Sequence, residues 1–495
     1  MVSEACSQLW LAAPITLSNL LERTQYWVTL TLVGALGPDI LGPVALASSV
    51  NNVVGTSVAI GLSMATATLS SQAAGARDAK ALSLVLQRAM PINLVFSIPC
   101  MLLLLTLRPI LVGGLGMDED FGARAGVYGL TVLPVAALTG ILRCQQVWLV
   151  SQGRPRPAMF VQLSMMPVHA LLSYVLVRHS ALGYAGAGVA MSLSMLARVS
   201  ALHAYIANSV HTRAHWGGFS RSALSGWGSY LALALPGVAM LSEYWIGEII
   251  MLAAARLPSP QVALSALSLY MLVNTTCYQP PNGIRMAINA RVGNFLGGGQ
   301  PLRARSTFRV GVLLVAAWLP VPAALLLSLA ARWGFFFTTD MHVVGVLAAA
   351  TPILACYISF DALLAVANGT LAGCGLQKIG GRLALVCYVG VSLPTALALA
   401  FGAGGDARST DAKSGVLALA SGHALGKALH AISSLAVVAF SVKWEVESER
   451  AVARVNRLSE LPAAKAVAVA TDRLDLLQDD SAKAGAQQLA EDDEL

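Results

Sequence analysis

Twelve stretches of this chain are long and apolar enough to cross a lipid bilayer, which decides what it can fold into. The stretches run over 9–34, 43–69, 89–113, 125–151, 158–178, 183–208, 229–255, 261–288, 309–331, 343–371, 380–402 and 415–442. A spanning helix needs about 20 mostly apolar residues. In hydrocarbon only helices and closed barrels satisfy every backbone N–H and C=O. Strand-like alternation of apolar and polar residues is absent, which speaks against a barrel. Charged residues make up 12% of the chain, against about 25% in soluble domains, so a soluble multi-domain protein is excluded. The expected class is an all-α integral membrane protein, with abundant Ala and Gly letting its helices approach closely.

Basic residues divide the loops into two sets. Arg77, Lys80 and Arg88; Arg154 and Arg156; Arg213 and Arg221; Arg303, Arg305 and Arg309; and Lys378 and Arg382 all fall on one side. The other side is acidic or mixed: Asp39; Asp118, Glu119 and Asp120; Asp340; and Asp406, Arg408, Asp411 and Lys413. The positive-inside rule then places both termini in the cytosol. The net charge of +7 is thereby a topology signal, and its scatter over loops gives no footprint for nucleic acid. The seven cysteines form no CxxC pair, so neither a disulfide framework nor a zinc site is expected. No cleavable signal peptide is expected, since the first segment lacks a basic leader.

The chain repeats itself at an offset of 222 residues. Pro14 falls on Pro236, Asn52 on Asn274, Met64-Ala65 on Met286-Ala287, Gly75 on Gly297 and Gly153 on Gly375. One register therefore holds from the first segment to the fifth. A duplicated unit with an even number of spans gives two parallel repeats, with the ligand cavity between them. The expected architecture is two six-helix bundles around a central cavity: a lobe over 1–208, a linker over 209–228, a second lobe over 229–442 and a tail over 443–495.

Four motifs carry a family resemblance. "RVGNFLGGGQPLRAR" (291–305) and "GTLAGCGLQKIG" (369–380) fill basic loops; "SEYWIGE" (242–248) lies in the seventh segment; "KWEVESERAVARV" (443–455) follows the last one. Together they resemble the multidrug and toxic compound extrusion (MATE) transporters, in particular their eukaryotic branch, over roughly residues 12–455. The resemblance implies a secondary transporter, not an enzyme. It would exchange organic, mostly cationic, compounds for protons rather than sodium, without a cofactor, as a monomer in the cell-surface or a vacuolar membrane.

The candidate site residues follow from the cost of polar groups in lipid. A charge near the bilayer centre persists only if it faces a cavity, a partner or a proton. Glu243 and Asp361 lie inside the seventh and tenth segments, and the resemblance assigns such acids to substrate binding and proton coupling. The expectation is that the two acids hold a proton or a cation in turn, because a dry carboxylate keeps its proton until a cation arrives. Glu248 lies five residues beyond Glu243, about 140° around the helix, so one of the pair is expected to face the cavity and the other a neighbouring helix. Tyr244 and Trp245 could present ring faces to a cation, against a packing role. Glu22, beside Arg23 in the first segment, is either a second cation site or one half of an interhelical pair. Asn52 and Asn274 occupy equivalent repeat positions and are helix glue or cavity lining. His169 matches a histidine of plant-type relatives and is structural or functional. Pro280-Pro281 is expected to break the eighth helix. Arg285, inside that helix, departs from the family pattern and could pair with an acid or draw an anionic substrate.

Other chemistries lack their motifs. "GHALGKA" (422–428) has the wrong spacing and setting for a phosphate-binding loop, so no ATPase unit is expected. HExxH, GxSxG and a metal cluster are also missing. A lipid-linked oligosaccharide flippase of the same wider superfamily is the alternative, with an organic-anion or citrate exporter as another. The flippase would need a strongly cationic cavity, whereas the mid-membrane charges read as mostly acidic. After Trp444 the chain is expected to form a short helix marked by Val446, Ala451, Val452 and Val455, then become disordered from about residue 461.

Overall fold

The structure is a computed structural model that describes residues 1–402 and 411–460. The loop charges Asp406 and Arg408 and the tail beyond 460, including its expected disorder, lie outside the described residues. Twelve helical columns form the body. They are α1 (Val2–Gly34), α2 (Asp39–Gly75), α3 (Ala79–Leu105), α4 (Glu119–Thr131 with Leu133–Ser151), α5 (Arg156–Arg178) and α6 (Tyr184–Asn208). Then come α7 (Trp227–Ala254), α8 (Pro260–Cys277 with Gln279–Gly297), α9 (Pro301–Ser328), α10 (Met341–Cys374), α11 (Gln377–Phe401) and α12 (Ala412–Ser441). The break in α8 falls at Tyr278, just ahead of Pro280-Pro281, where two residues without N–H cannot continue the ladder.

Among the described residues, ten columns meet both length and hydropathy for a membrane span. The two that fall short are α1 and α8. They carry Glu22 and Arg23, and Asn282, Arg285 and Asn289, on walls that face the molecule's interior. Lipid-facing columns show the opposite character, with Leu102, Leu171, Leu313 and Phe440 exposed.

Helices α1 to α6 pack into one lobe and α7 to α12 into the other. The leading helix of each lobe crosses to its neighbour. Leu11 and Ala12 of α1 share a core with Ile284 and Ala287 of α8. Tyr230 and Ala234 of α7 share one with Leu62 and Ala65 of α2. Ala12 and Ala234 are repeat equivalents, so the exchange is two-fold symmetric.

The same symmetry builds the seam where the lobes meet, at the end that carries the basic loops. A Cβ on Gly75 would lie 2.0 Å from the Asn294 carbonyl, and one on Gly297 would lie 2.0 Å from the Gln72 carbonyl. Gln72 Nε2 donates to Gly373 O at 3.0 Å; its equivalent Asn294 Nδ2 donates to Ser151 O at 3.0 Å. Only glycine permits so close a crossing of α2 over α8. The loop glycines matched in the sequence, Gly153 and Gly375, both take positive φ, 71° and 79°, as sharp helix ends require.

Two further clasps bind this end. Glu4 pairs with Arg291 of the opposite lobe, and Gln8 Nε2 donates to Thr307 O at 2.9 Å. After α12 a thirteenth helix, residues 444–460, lies across both lobes. Its buried stripe is Trp444, Ser448, Ala451, Val455 and Leu458, while Val446 and Val452 are only half-buried, which corrects the stripe expected from sequence. Trp444 and Ala451 join the second lobe's core, Val455 and Leu458 the first's. Arg454 donates to Gln72 Oε1 at 3.0 Å and to Cys374 O at 3.1 Å, one contact on each lobe.

Candidate functional site

Away from the basic seam the lobes part and enclose a cavity of about 610 Å³, within the range that holds drug-sized ligands. Its wall runs from Ala67 and Ala290 near the seam out to Ser48, Tyr128, Met251 and Ser268. On α2 the backbone loosens into i→i+5 turns over Asn51–Thr56, and both Asn51 and Asn52 reach the wall. Such widened turns often accompany functional sites.

The second lobe presents a buried polar cluster built by α7, α10, α11 and α12. Helix α7 tightens after Pro236, with Leu241 N donating to Val238 O at 3.0 Å, and restarts at Ser242. Glu243 thus sits in a first helical turn, where free N–H groups favour a negative charge. Its carboxylate accepts from Tyr357 OH at 2.6 Å and Tyr388 OH at 3.1 Å. It also contacts the Lys427 ammonium, which lies 2.8 Å from Asp361 Oδ1. Lys427 is fully buried, and its ammonium stands over the rings of Tyr357 and Tyr388 at 4.9 and 5.7 Å. His423, one helical turn before Lys427, comes within 3.4 Å of Tyr357 OH and reaches the wall.

This arrangement corrects the picture of two bare acids in a dry pocket. Both carboxylates touch one ammonium, so burial is not the only influence on their charge. Lys427 lies within "GHALGKA", a string whose resemblance to a phosphate loop masks it. The rule that singles out Glu243, a charge inside an apolar segment, applies equally to it. Tyr357 and Asp361, and His423 and Lys427, stand at helical i, i+4 spacing, a pattern visible only once one member is known to face the site.

The first lobe answers with a cluster of its own. Glu22 pairs with Arg143 at 2.8 Å and Arg198 at 3.7 Å, so it is an interhelical pair as well as a wall residue. Arg198 also donates to Gln162 Oε1 at 2.8 Å. Arg23, Arg143, Arg198 and Arg285 all line the cavity, the last donating to Asn282 Oδ1 at 2.9 Å. The expectation of a mostly acidic cavity is therefore wrong: the acids lie mainly in the second lobe and the arginines mainly in the first.

Of the sequence candidates, Glu243, Asp361, Glu248, Tyr244, Asn274, Asn52, Glu22 and Arg285 line the cavity. Glu243 and Glu248 both do so, contrary to the expectation that only one would. The Ser242–Ala254 part of α7 shows the cavity more than one face, with Glu243, Tyr244, Gly247, Glu248 and Met251 all on the wall. Two candidates are not on the wall. His169 is fully buried inside the first lobe, bonded to Thr29 and Ser194 at 3.0 Å each. Trp245 turns its Nε1 to Ser57 Oγ at 3.1 Å, tying α7 to α2. A helical wheel gives angles, not which angle faces the gap between lobes. Among the described residues no three His, Cys, Asp or Glu side chains converge as a metal would need, and all seven cysteines are free thiols.

Comparison with known proteins agrees with the repeat and the fold. The MatE family model matches twice, over residues 14–175 and 237–397. The Arabidopsis thaliana Protein DETOXIFICATION 16 is 33% identical over 80% of this chain and 82% of its own length. The Mus musculus Multidrug and toxin extrusion protein 1 is 31% identical over 92% of the chain and 78% of its own length. The crystal structure of the eukaryotic MATE transporter AtDTX14 superposes with a TM-score of 0.86 at 26% identity, covering 92% of this chain and 99% of that one. With twin six-helix lobes, a doubled family match and relatives above 30% identity over most of its length, the chain belongs to the MATE family of multi-pass membrane transporters.

Proposed function

We propose that the protein exports organic compounds in exchange for protons, by alternating access of the cavity to the two sides of the membrane. The observation that carries this reading is the buried triad of Glu243, Asp361 and Lys427 on the cavity wall. Two carboxylates and one ammonium leave one net negative charge. An uncompensated charge in a membrane interior is expensive, so the triad calls for one more positive charge. A proton or a singly charged organic cation supplies it, and neither leaves room for the other. Competition of this kind, repeated on each side in turn, couples the two flows one to one.

The loops support an orientation. With the basic end in the cytosol, the conformation described here is closed to the cytosol by the α2–α8 crossing. The lobes over 1–208 and 229–442 would be the two rocking bodies. The 209–228 linker and the 444–460 helix would lie on the cytosolic face. The names of the relatives support drug-like and toxic organic compounds as cargo. Their eukaryotic origin supports the proton over sodium as the coupling ion.

The test is uptake of a fluorescent organic cation into proteoliposomes under an imposed pH gradient, with Glu243→Gln beside the native protein. Neutralising Glu243 leaves the triad without net charge. Gradient-driven uptake should then fall at least about tenfold, equivalent to roughly 1.4 kcal/mol. Uptake indifferent to the gradient would remove proton exchange; normal transport by the variant would remove the triad from the mechanism.

A further inference from the structure

The two lobes build their buried charge clusters from the same three helices of the repeat, with opposite sign. In the second lobe the cluster comes from its first, fourth and sixth helices: Glu243, Asp361 and Lys427, net −1. In the first lobe the equivalent helices supply Glu22, Arg143 and Arg198, net +1. Each leading helix adds a wall residue of its own lobe's sign, Glu248 in the second lobe and Arg23 in the first.

The basic cluster has unspent capacity. The buried Nε of Arg143 and that of Arg198 have no hydrogen-bond partner, although Arg198 is almost wholly enclosed, its side chain 3% exposed. Arg23, half-buried on the same wall, makes no ion pair within 4.0 Å among the described residues. Three guanidiniums against a single carboxylate is the composition of an oxyanion subsite, since guanidinium donors match a carboxylate in geometry as well as charge. A purely structural tie gives no reason to leave those two buried donors unmade, since an unsatisfied buried donor costs free energy.

We propose that Arg23, with the Arg143–Glu22–Arg198 cluster behind it, is a carboxylate-binding subsite, and that the cavity takes ligands bearing both a cationic and an anionic group. The cationic end faces Glu243 and Glu248, the carboxylate faces the first lobe, and Glu22 limits how tightly it is held. This deepens the transport reading and rests on it only for movement; the binding preference stands or falls by itself.

The test is equilibrium binding to the purified full-length protein, read by fluorescence anisotropy. The probes are an unesterified rhodamine, which pairs a cationic xanthene with a free benzoate, and its methyl ester, which is the cation alone. The native protein should bind the free acid about tenfold more tightly than the ester, the ratio expected of one desolvated charge-assisted pair. Arg23→Gln should abolish most of that ratio while leaving ester affinity within about twofold, and Arg23→Lys should keep part of it. Glu22→Gln should move it the other way, tightening the acid several-fold by releasing two arginines. Ester binding in each variant reports that the cavity is intact. Equal affinity for both dyes in the native protein, or equal loss of both in Arg23→Gln, would overturn the subsite. Preference retained without gradient-driven uptake would count against the transport reading and leave the subsite standing.

Discussion

Lys427 shows at the scale of one residue why a buried charge cannot be read alone. Its ammonium holds Glu243 and Asp361 in place, and removing one partner of a buried ion cluster leaves the others uncompensated, at a cost of about 3–5 kcal/mol. Lys427→Met should therefore lower the thermal midpoint in detergent markedly. Combining it with Glu243→Gln and Asp361→Asn should recover much of the loss, because no unpaired charge then remains. An additive loss across the three changes would show that the triad is not a unit. Glu243 and Asp361 are legible in the sequence because an acid in an apolar run costs too much to persist without a cavity, a partner or a proton. Lys427 obeys the same logic but sits in a string that invites a different test. For His169 and Trp245 the sequence leaves a structural and a functional role open, and each spends its polarity on a helix–helix bond that only the packed lobes reveal.

Between helices, the 222-residue register relates the contacts of one lobe to those of the other. It is readable in the loops, where Gly75, Gly153, Gly297 and Gly375 perform steric tasks that tolerate no side chain or need positive φ. That the seam is made by those residues is not readable, because a repeat gives equivalence and not contact. Gly297→Val should force α2 from α8 and open the basic end. With the exposed Cys6 and Cys356 replaced by serine, a cysteine in place of Ser71, fully buried under the crossing, should then react with an impermeant maleimide from that face. Gly113→Val, with nothing within 4 Å of its Cβ position, should leave labelling unchanged; equal labelling in both would deny the crossing a gating role. The Glu4–Arg291 clasp belongs to the same end, outside the apolar part of α1. Burial pushes the Glu4 carboxyl up, but the hydrogen bond and charge of Arg291, with Thr307, outweigh it and hold the carboxyl below its usual range. A carboxyl lowered in the folded state stabilises at pH above its unfolded value and loses that contribution as pH falls through the folded one. The clasp should persist at neutral pH and weaken only as pH falls below the ordinary carboxylate range. Glu4→Gln should weaken it at neutral pH and flatten that acid limb, as read by the thermal midpoint in detergent across a pH series.

For the whole molecule, duplication has produced lobes alike in fold and opposite in buried charge. The fold is legible because lipid leaves few choices: apolar length gives the helices, loop charge gives a side, and an even repeat gives parallel lobes. The conformational state and the division of charge are not, since both depend on which helix faces come together. Two lobes that hinge about this cavity would close one end as the other opens. Paired spin labels read it directly by electron–electron distance. Lys80 and Leu302 are repeat equivalents exposed at the basic end, and Leu115 and Phe337 are exposed equivalents at the other. On switching between acidic and alkaline pH, with and without an organic cation, the 80–302 distance should lengthen as the 115–337 distance shortens. Distances that stay fixed, or that lengthen together, would contradict alternating access.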